Sequence, residues 1–345
     1  EIDQRIEPVW DVLRTMEITD KPIGGGEVFY AENIKHLVRL GEIYSGRPKD
    51  TRFVASCDFA VSPLRYGRRM LECMIEKSKW GVPHVPGSMT ISGLSGPVTV
   101  AGTSALALAE LIGGWVIYYL LDPELPVGGI VSTGSLDMRT TRASFGSPEA
   151  VLQDLTVVQA ARRLYGIAVG AAHAYVDCKT PGIQAVFEKM LPLLAFPFEG
   201  GLTVAADGLL SAGQDYSPVQ HLLSLDMRQA MDRFLGTFEV TEEALAVDLV
   251  DQIEVGSGET FLDKAHTLKH FKSQQWYPRW LDHRIWQGEP VERDAERKML
   301  EQIDAYWKDA VARYEPPEID GKRVEEARKV LTAAEEEMPR LAPKA

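Results

Sequence analysis

Residues 148–194 read PEAVLQDLTVVQAARRLYGIAVGAAHAYVDCKTPGIQAVFEKMLPLL. Pro148 stands where a helix begins, a position that suits a residue without a free N–H. Gly166 follows as a C-terminal stop, so a helix is predicted over 148–165. The short run 167–172 reads as a strand, and Pro181 opens a second helix that reaches residue 194. Helix, short strand and helix in this order make one step of a parallel sheet, because parallel neighbours need a long crossover.

The same step recurs on both sides, from about residue 15 to residue 240. Strands are predicted at 17–23, 52–57, 84–90, 128–133, 167–172 and 201–206. Helices are predicted over 31–44, 63–79, 98–121, 148–165, 181–194 and 218–235. Gly81 is a second stop signal and Pro218 a third start signal. Either a barrel or an open doubly wound sheet satisfies this order. No GxGxxG follows a strand and no GxxxxGK[ST] occurs, so nucleotide binding at a first βα turn has no support. The expected fold class is therefore α/β, a TIM-type (β/α)8 barrel. Such a barrel needs eight strands, and six are predicted here.

The chain has 345 residues, 45% hydrophobic and 25% charged, an ordinary globular composition. Its formal charge of −13 argues against a broadly basic nucleic-acid surface and against an anionic membrane as partner. Cys57, Cys73 and Cys178 are odd in number and far apart, so neither a disulfide framework nor a metal knuckle is expected. A reducing, cytoplasmic setting fits best, and EIDQRIEPVW shows no secretory pattern. In 98–121 Glu110 is the one charged residue, yet Gly102, Thr103, Ser104, Gly113 and Gly114 favour a buried helix over a membrane span. Beyond a barrel domain at 1–289, residues 290–345 read as a helical extension. Met299, Leu300, Ile303, Trp307, Ala310, Val311 and Tyr314 recur at helical spacing, and a weaker helix covers 324–338. Packing or homo-oligomer contacts are the expected use of these helices.

In a barrel the reactive residues sit on the loops that follow the strands. After 84–90 comes ISGLSGP, either a backbone cradle or a plain turn into the next helix. After 128–133, Asp137 either holds a cation or pairs with Arg139 or Arg142. After 167–172 comes HAYVDCK, where His173, Tyr175, Asp177, Cys178 and Lys179 form the densest cluster of reactive types. An activated Cys178 thiol has no partner fixed by the sequence. Glu199 and Asp207 flank 201–206. His266 and His270 share a helix face, but no HExxH pattern supports zinc there. The run WYPRW at 276–280, with Trp286, reads either as core or as a cage for a quaternary ammonium ion.

Several stretches resemble the trimethylamine methyltransferase family, including members without pyrrolysine that act on glycine betaine and related quaternary amines. They are SGLSGPVTVAGT (92–103), ALAELIGG (107–114), STGSLDMRT with GSPE (132–149), RLYGIAV with VDCKTPGIQAVFEKM (163–190), DGLL (207–210), and EVTEEALAVDLVDQI with FLDKAHTLKHF (239–271). They run in family order over most of 85–285. The resemblance implies an (α/β)8 barrel that moves a methyl group from a methylated amine to the cobalt of a corrinoid carried by a separate protein. The chain lacks the Asp-x-His-x-x-Gly cobalamin pattern, so the corrinoid is expected from a corrinoid-binding partner. No permanently bound cofactor and no metal site are expected. Family members begin upstream of the point where Glu1 aligns. That part is expected to supply the two strands not counted here, and the chain is expected to be shortened at its N-terminus.

Two departures shape the expected substrate. Register from Tyr165-Gly166 to Lys179-Thr180-Pro181 puts the pyrrolysine position of the trimethylamine enzyme at Ala174. Where relatives show a His-His-Ala-Gly-Gly run, this chain has TVAADG at 203–208. The first favours a quaternary amine over trimethylamine, and the second points to a pocket tuned to a different amine. The side chains expected to line the pocket are His173, Tyr175, Asp177, Asp137, Glu199, His266 and Tyr277, with no single catalytic residue assigned. Two competing readings are a barrel lyase or aldolase with Lys179 as Schiff-base amine, and a non-catalytic amine-binding protein.

Overall fold

The computed structural model describes residues 2–54, 56–171, 175–198, 202–203, 207–288 and 294–337. Helices α1 (Glu7–Ile18) and α2 (Asn33–Ser45) come first. Then follow β1 (Asp58–Phe59), α3 (Arg68–Lys79), β2 (Pro86–Ser88), β3 (Ile91–Ser92), α4 (Val100–Leu121) and β4 (Gly129–Val131). A hairpin of β5 (Gly134–Asp137) and β6 (Arg142–Ser144) leads to α5 (Pro148–Tyr165), β7 (Val169–Ala171), α6 (Ile183–Phe198) and β8 (Leu202–Thr203). After β9 (Leu209–Leu210), a 3-10 turn at Ser211–Gly213 and β10 (Asp215–Tyr216) comes α7 (Pro218–Leu235). The chain closes with α8 (Glu242–Leu245), α9 (Val247–Asp251), α10 (Ala265–Gln274), α11 (Ala295–Ala312) and α12 (Gly321–Glu337).

The main sheet has the order β1-β2-β4-β7-β8, and every neighbouring pair is parallel. Strand order follows chain order without a reversal. The connections α3, α4, α5 and α6 pack against the strands beside them, and each neighbouring pair of these helices is in contact. Register aligns Phe59, Gly87, Ile130 and Gly170 in one row across the sheet. The next row, Ser88, Val131 and Ala171, faces the helices: Val131 and Ala171 join Ala107, Leu111, Val157 and Val158 in one core. Strand alternation therefore turns the first row to the opposite face. Gly87 is required there, because a Cβ would fall 2.8 Å from the Phe59 ring.

Polar ties fasten the helices to the sheet. Lys77 of α3 donates to Asp58 of β1 at 2.7 Å, and both side chains are 1% exposed. The Tyr118 hydroxyl of α4 donates to the other Asp58 oxygen, and Lys77 also reaches the Ser56 hydroxyl at 2.8 Å. Further along α4, Glu110 accepts from Ser62 at 2.8 Å, Ser88 at 2.6 Å, Thr90 at 3.2 Å and the Leu64 N–H at 2.9 Å. This satisfied carboxylate explains how an apolar 22-residue helix carries a buried charge. Among the described residues, α4 is the one helix long and apolar enough to cross a bilayer. Its buried stripe, Thr103, Ser104, Ala107, Glu110, Leu111, Gly114, Trp115 and Tyr118, packs on the sheet and α5.

The C-terminal helices fold back on the rest. Ala327, Val330 and Ala334 of α12 share a core with Val9, Val12, Leu37 and Phe53. Ile303 of α11 packs with Val219 and Leu223 of α7.

Two expected strands are corrected. Residues 17–18 end α1, whose buried stripe of Val9, Val12, Leu13 and Met16 packs the helix into the core as far as Met16. At 52–54 the chain turns: Arg52 is held by Asp50 through its N–H at 3.1 Å and its Nε at 3.0 Å, and β1 starts only at Asp58. The helix expected from residue 63 begins at Arg68, after an antiparallel bridge between Val61 and Arg65. The strands at 84–90, 128–133 and 167–172 lie inside their expected spans as β2, β4 and β7, and the described part of 201–206 is β8. The helices from Pro148 and from Pro218 match theirs.

Candidate functional site

Beyond the C-terminal ends of β4 and β7 lies a cleft of about 490 Å3. Its walls come from the β5–β6 hairpin, the loop after β7, and the Ser211–Gly213 turn with Gln214. Asp137 and Asp177 bring negative charge to it, and Arg142 and Lys179 bring positive charge.

Asp177 joins two of these walls. Its Oδ1 accepts the Phe145 N–H at 2.9 Å, and its Oδ2 accepts the Ser144 hydroxyl. Its own N–H donates to Glu188 of α6 at 2.7 Å, and the Cys178 N–H reaches the same oxygen at 3.2 Å. Gln184, one turn earlier, donates to the other Glu188 oxygen at 2.6 Å. A chain of hydrogen bonds thus runs from α6 through the loop to the hairpin.

Asp137 resolves the choice left open by the sequence. It pairs with Arg139, through the backbone N–H at 2.9 Å and Nε at 3.0 Å. The side-chain hydrogen bond from Arg139, then the backbone one, holds the carboxyl down at about 2. In the hairpin register Asp137 stands opposite Arg142.

The third wall is unusual in its backbone. Ser211 (φ 52°), Ala212 (φ 55°) and Gly213 (φ 82°) are successive left-handed residues. Two hydrogen bonds to the loop hold the turn: Ser211 N–H to Cys178 O and Ala212 N–H to Val176 O, both 2.8 Å. Strain of this kind persists only where surroundings over-determine it. Gly213 lies against Tyr175, and a Cβ would fall 2.4 Å from that ring. The half-buried Tyr175 and Phe145 rings are 5.5 Å apart at 54°.

Of the residues expected in the pocket, Asp137 and Asp177 line the cleft, and Tyr175 abuts its third wall. His173 and Glu199 lie outside the described residues. His266 and Tyr277 are not among the residues lining the cleft. His266 Nε2 is 3.1 Å from Glu243 O on α8, and His270 Nε2 is 3.2 Å from the Glu243 carboxylate. The exposed Tyr277 donates its hydroxyl to Gln275 at 2.9 Å. Its neighbour Trp280 is packing, with Tyr306 edge-on at 5.4 Å. Among the described residues no group of three His, Cys, Asp or Glu is placed to hold a metal ion.

Lys179 is exposed and donates to Asp177 O, so it lacks the desolvation that activates a Schiff-base amine. The buried lysine nearby is Lys189 of α6, whose pKa is lowered first of all by burial. Burial pushes the Cys178 thiol up to about 11, the opposite of an activated nucleophile. The loop at 91–97 is a turn into α4: Ser95 Oγ accepts the Ile91 N–H at 2.9 Å, and β3 pairs with β5. The sequence reading missed Glu188, Ser144 and the Ser211–Gly213 turn. A Gly after two small residues was the one signal for the turn, and Glu188 carried none beyond its charge.

The family model described as trimethylamine methyltransferase (MTTB) matches residues 10–339. Glycine betaine methyltransferase of Desulfitobacterium hafniense (strain Y51) is 27% identical over 276 residues, 79% of this chain and 56% of that protein. Trimethylamine methyltransferase MttB of D. hafniense (strain DSM 10664 / DCB-2) is 29% identical, covering 79% of this chain and 55% of that protein. MttB of Methanosarcina barkeri (strain Fusaro / DSM 804) is 27% identical, with 79% and 54% covered. The chain spans just over half the length of these curated relatives. With the model matched over nearly its whole length, the chain belongs to the trimethylamine methyltransferase (MTTB) family.

Proposed function

We propose that this chain is the amine-binding part of a methyltransferase that takes a methyl group from a small quaternary amine, glycine betaine or a similar zwitterion. The observation that carries this reading is the cleft of mixed charge beyond the C-terminal ends of β4 and β7, in a chain matched by this family model. The sheet is an arc of a (β/α)8 barrel on this reading. Its strands follow chain order without the reversal that a doubly wound sheet has, and catalytic loops of barrels follow the strands' C-terminal ends.

The chemistry asks little acid–base help of the protein. When the N–CH3 bond breaks, the electron pair stays on nitrogen and the amine leaves neutral, so no proton need be delivered. The methyl acceptor is a reduced corrinoid brought by a partner protein, which supplies nucleophilic cobalt when docked. The chain's own residues bind, desolvate and orient one methyl group towards the mouth. Asp177, in the cleft wall, offers the ammonium ion a negative charge held in place by Ser144 and the Phe145 N–H. Arg142 and Lys179 supply the positive charge that a substrate carboxylate needs.

Calorimetric titration tests this reading. Glycine betaine is expected to bind, with choline and trimethylamine weaker because they lack the carboxylate. Choline binding as well as glycine betaine, or no amine binding at all, overturns it.

A further inference from the structure

Among the described residues four charged side chains line the cleft, and three of them are already engaged. Asp137 gives both carboxylate oxygens to Arg139: Oδ1 accepts Nε at 3.0 Å and Oδ2 accepts Nη2 at 3.2 Å. Arg139 is itself 90% exposed, so it ties Asp137 down from the solvent side. Asp177 gives one oxygen to the Phe145 N–H and the other to the Ser144 hydroxyl. Both of these donors are neutral, and neither cancels its charge. The Lys179 ammonium donates to Asp177 O, a carbonyl of its own loop.

Arg142 is the exception. Among the described residues its guanidinium has no hydrogen bond and no ion pair. It stands directly opposite Asp137 in the hairpin register, and Asp137 is the carboxylate that would claim it if Arg139 did not. Arg142 and Ser144 are two apart on β6, so their side chains leave the same face of the strand. Ser144 touches Asp177. Arg142 therefore lies on the Asp177 side of the hairpin, one strand repeat of roughly 6.5 Å from Ser144. The wall thus carries a carboxylate held by neutral donors and, a short step away, an exposed guanidinium without a partner among the described residues. A guanidinium presents a planar fork of N–H donors that meets a carboxylate through two parallel hydrogen bonds.

We infer that Arg142 is the specificity-determining residue of the cleft: its guanidinium binds the carboxylate of a zwitterionic amine, while Lys179 stays on its loop. This assignment rests on the cleft being the amine site proposed above. An amine with a hydroxyl in place of the carboxylate loses the Arg142 contact and keeps the one to Asp177.

Calorimetry of the 345-residue chain with glycine betaine and with choline tests it on the unaltered protein, Arg142→Gln and Lys179→Gln. Arg142→Gln should bind glycine betaine about tenfold or more weaker. It should bind choline at least as tightly as before, so that the preference for the zwitterion disappears. Lys179→Gln should keep that preference within about twofold. Arg142 is exposed, and thermal unfolding of its variant should match the unaltered chain. A second measurement needs no substitution. A 1,2-dicarbonyl reagent that modifies arginine should react at Arg142, and glycine betaine should protect that residue where choline does not, as read by peptide mass spectrometry. An Arg142→Gln chain that still prefers glycine betaine overturns the assignment and leaves the amine site standing. So does a preference lost in Lys179→Gln instead, or an Arg142 that glycine betaine fails to protect although it binds. An unaltered chain that binds neither amine, or both equally, overturns the amine site and the assignment with it.

Discussion

The backbone N–H of Asp177 donates to the Glu188 carboxylate at 2.7 Å, while the Asp177 side chain reaches forward to Ser144 and Phe145. Glu188 is thus a positioning residue for a cleft it does not line. Glu188→Ala leaves the N–H groups of Asp177 and Cys178 without their acceptor, at about 1–3 kcal/mol. Amine affinity should fall in Glu188→Ala and largely return in Glu188→Gln, whose amide oxygen still accepts. Calorimetry beside thermal unfolding separates this from plain destabilisation, which would leave affinity of the folded fraction unchanged.

Gly213 cannot be replaced without moving Tyr175. Its φ is 82° and an added Cβ would meet the ring at 2.4 Å. Gly213→Ala should lose about 1–3 kcal/mol in denaturant unfolding. Tyr175 fluorescence or its NMR ring signals should shift at the same time. An unshifted ring would show that the turn does not set its position.

The Lys77–Asp58 pair is buried, and removing one partner leaves the other uncompensated. Lys77→Met is expected to cost about 3–5 kcal/mol, and the double change with Asp58→Leu to recover part of that loss. Denaturant midpoints of the two variants decide the point. A double variant less stable than Lys77→Met would contradict it.

Asp154 of α5 is buried beside Thr133, and burial raises its carboxyl to about 7. A raised acid binds more protons folded than unfolded, so stability is lost as pH rises from the ordinary carboxylate range through about 7. Asp154→Asn cannot ionise. The stability gap between the two should therefore move in favour of the variant by on the order of 2 kcal/mol between pH 5 and pH 8. Unfolding curves at the two pH values measure it, and a constant gap would contradict the burial of the charge.

The repeating helix–strand step was legible because Pro148, Pro218 and Gly166 mark local events that need no partner. Residues 17–23 misled because the helix ending at Ile18 is carried by burial of the stripe Val9–Met16 against α2 and α12, partners that lie elsewhere in the chain. Residues 52–57 misled because an apolar pair, Phe53 and Val54, can be buried by a turn as well as by a strand. At the site, Asp137 and Asp177 followed from their place after strands. Glu188 and Ser144 did not, because what they do depends on a hydrogen bond across more than ten residues or between two elements. Tyr277 and His266 looked alike to pocket residues in the sequence, and their place far along the chain after α7 gave no hint of their surroundings.

The measurement closest to the central claim is methyl transfer itself. The purified chain, a reduced corrinoid protein and glycine betaine are mixed, and the visible spectrum is followed for conversion to methyl-corrinoid. The account predicts conversion with glycine betaine that needs the chain, falls by at least about tenfold in Asp177→Ala, and is much slower with trimethylamine. No conversion with glycine betaine or other quaternary amines in the presence of several corrinoid proteins would contradict it, as would a preference for trimethylamine.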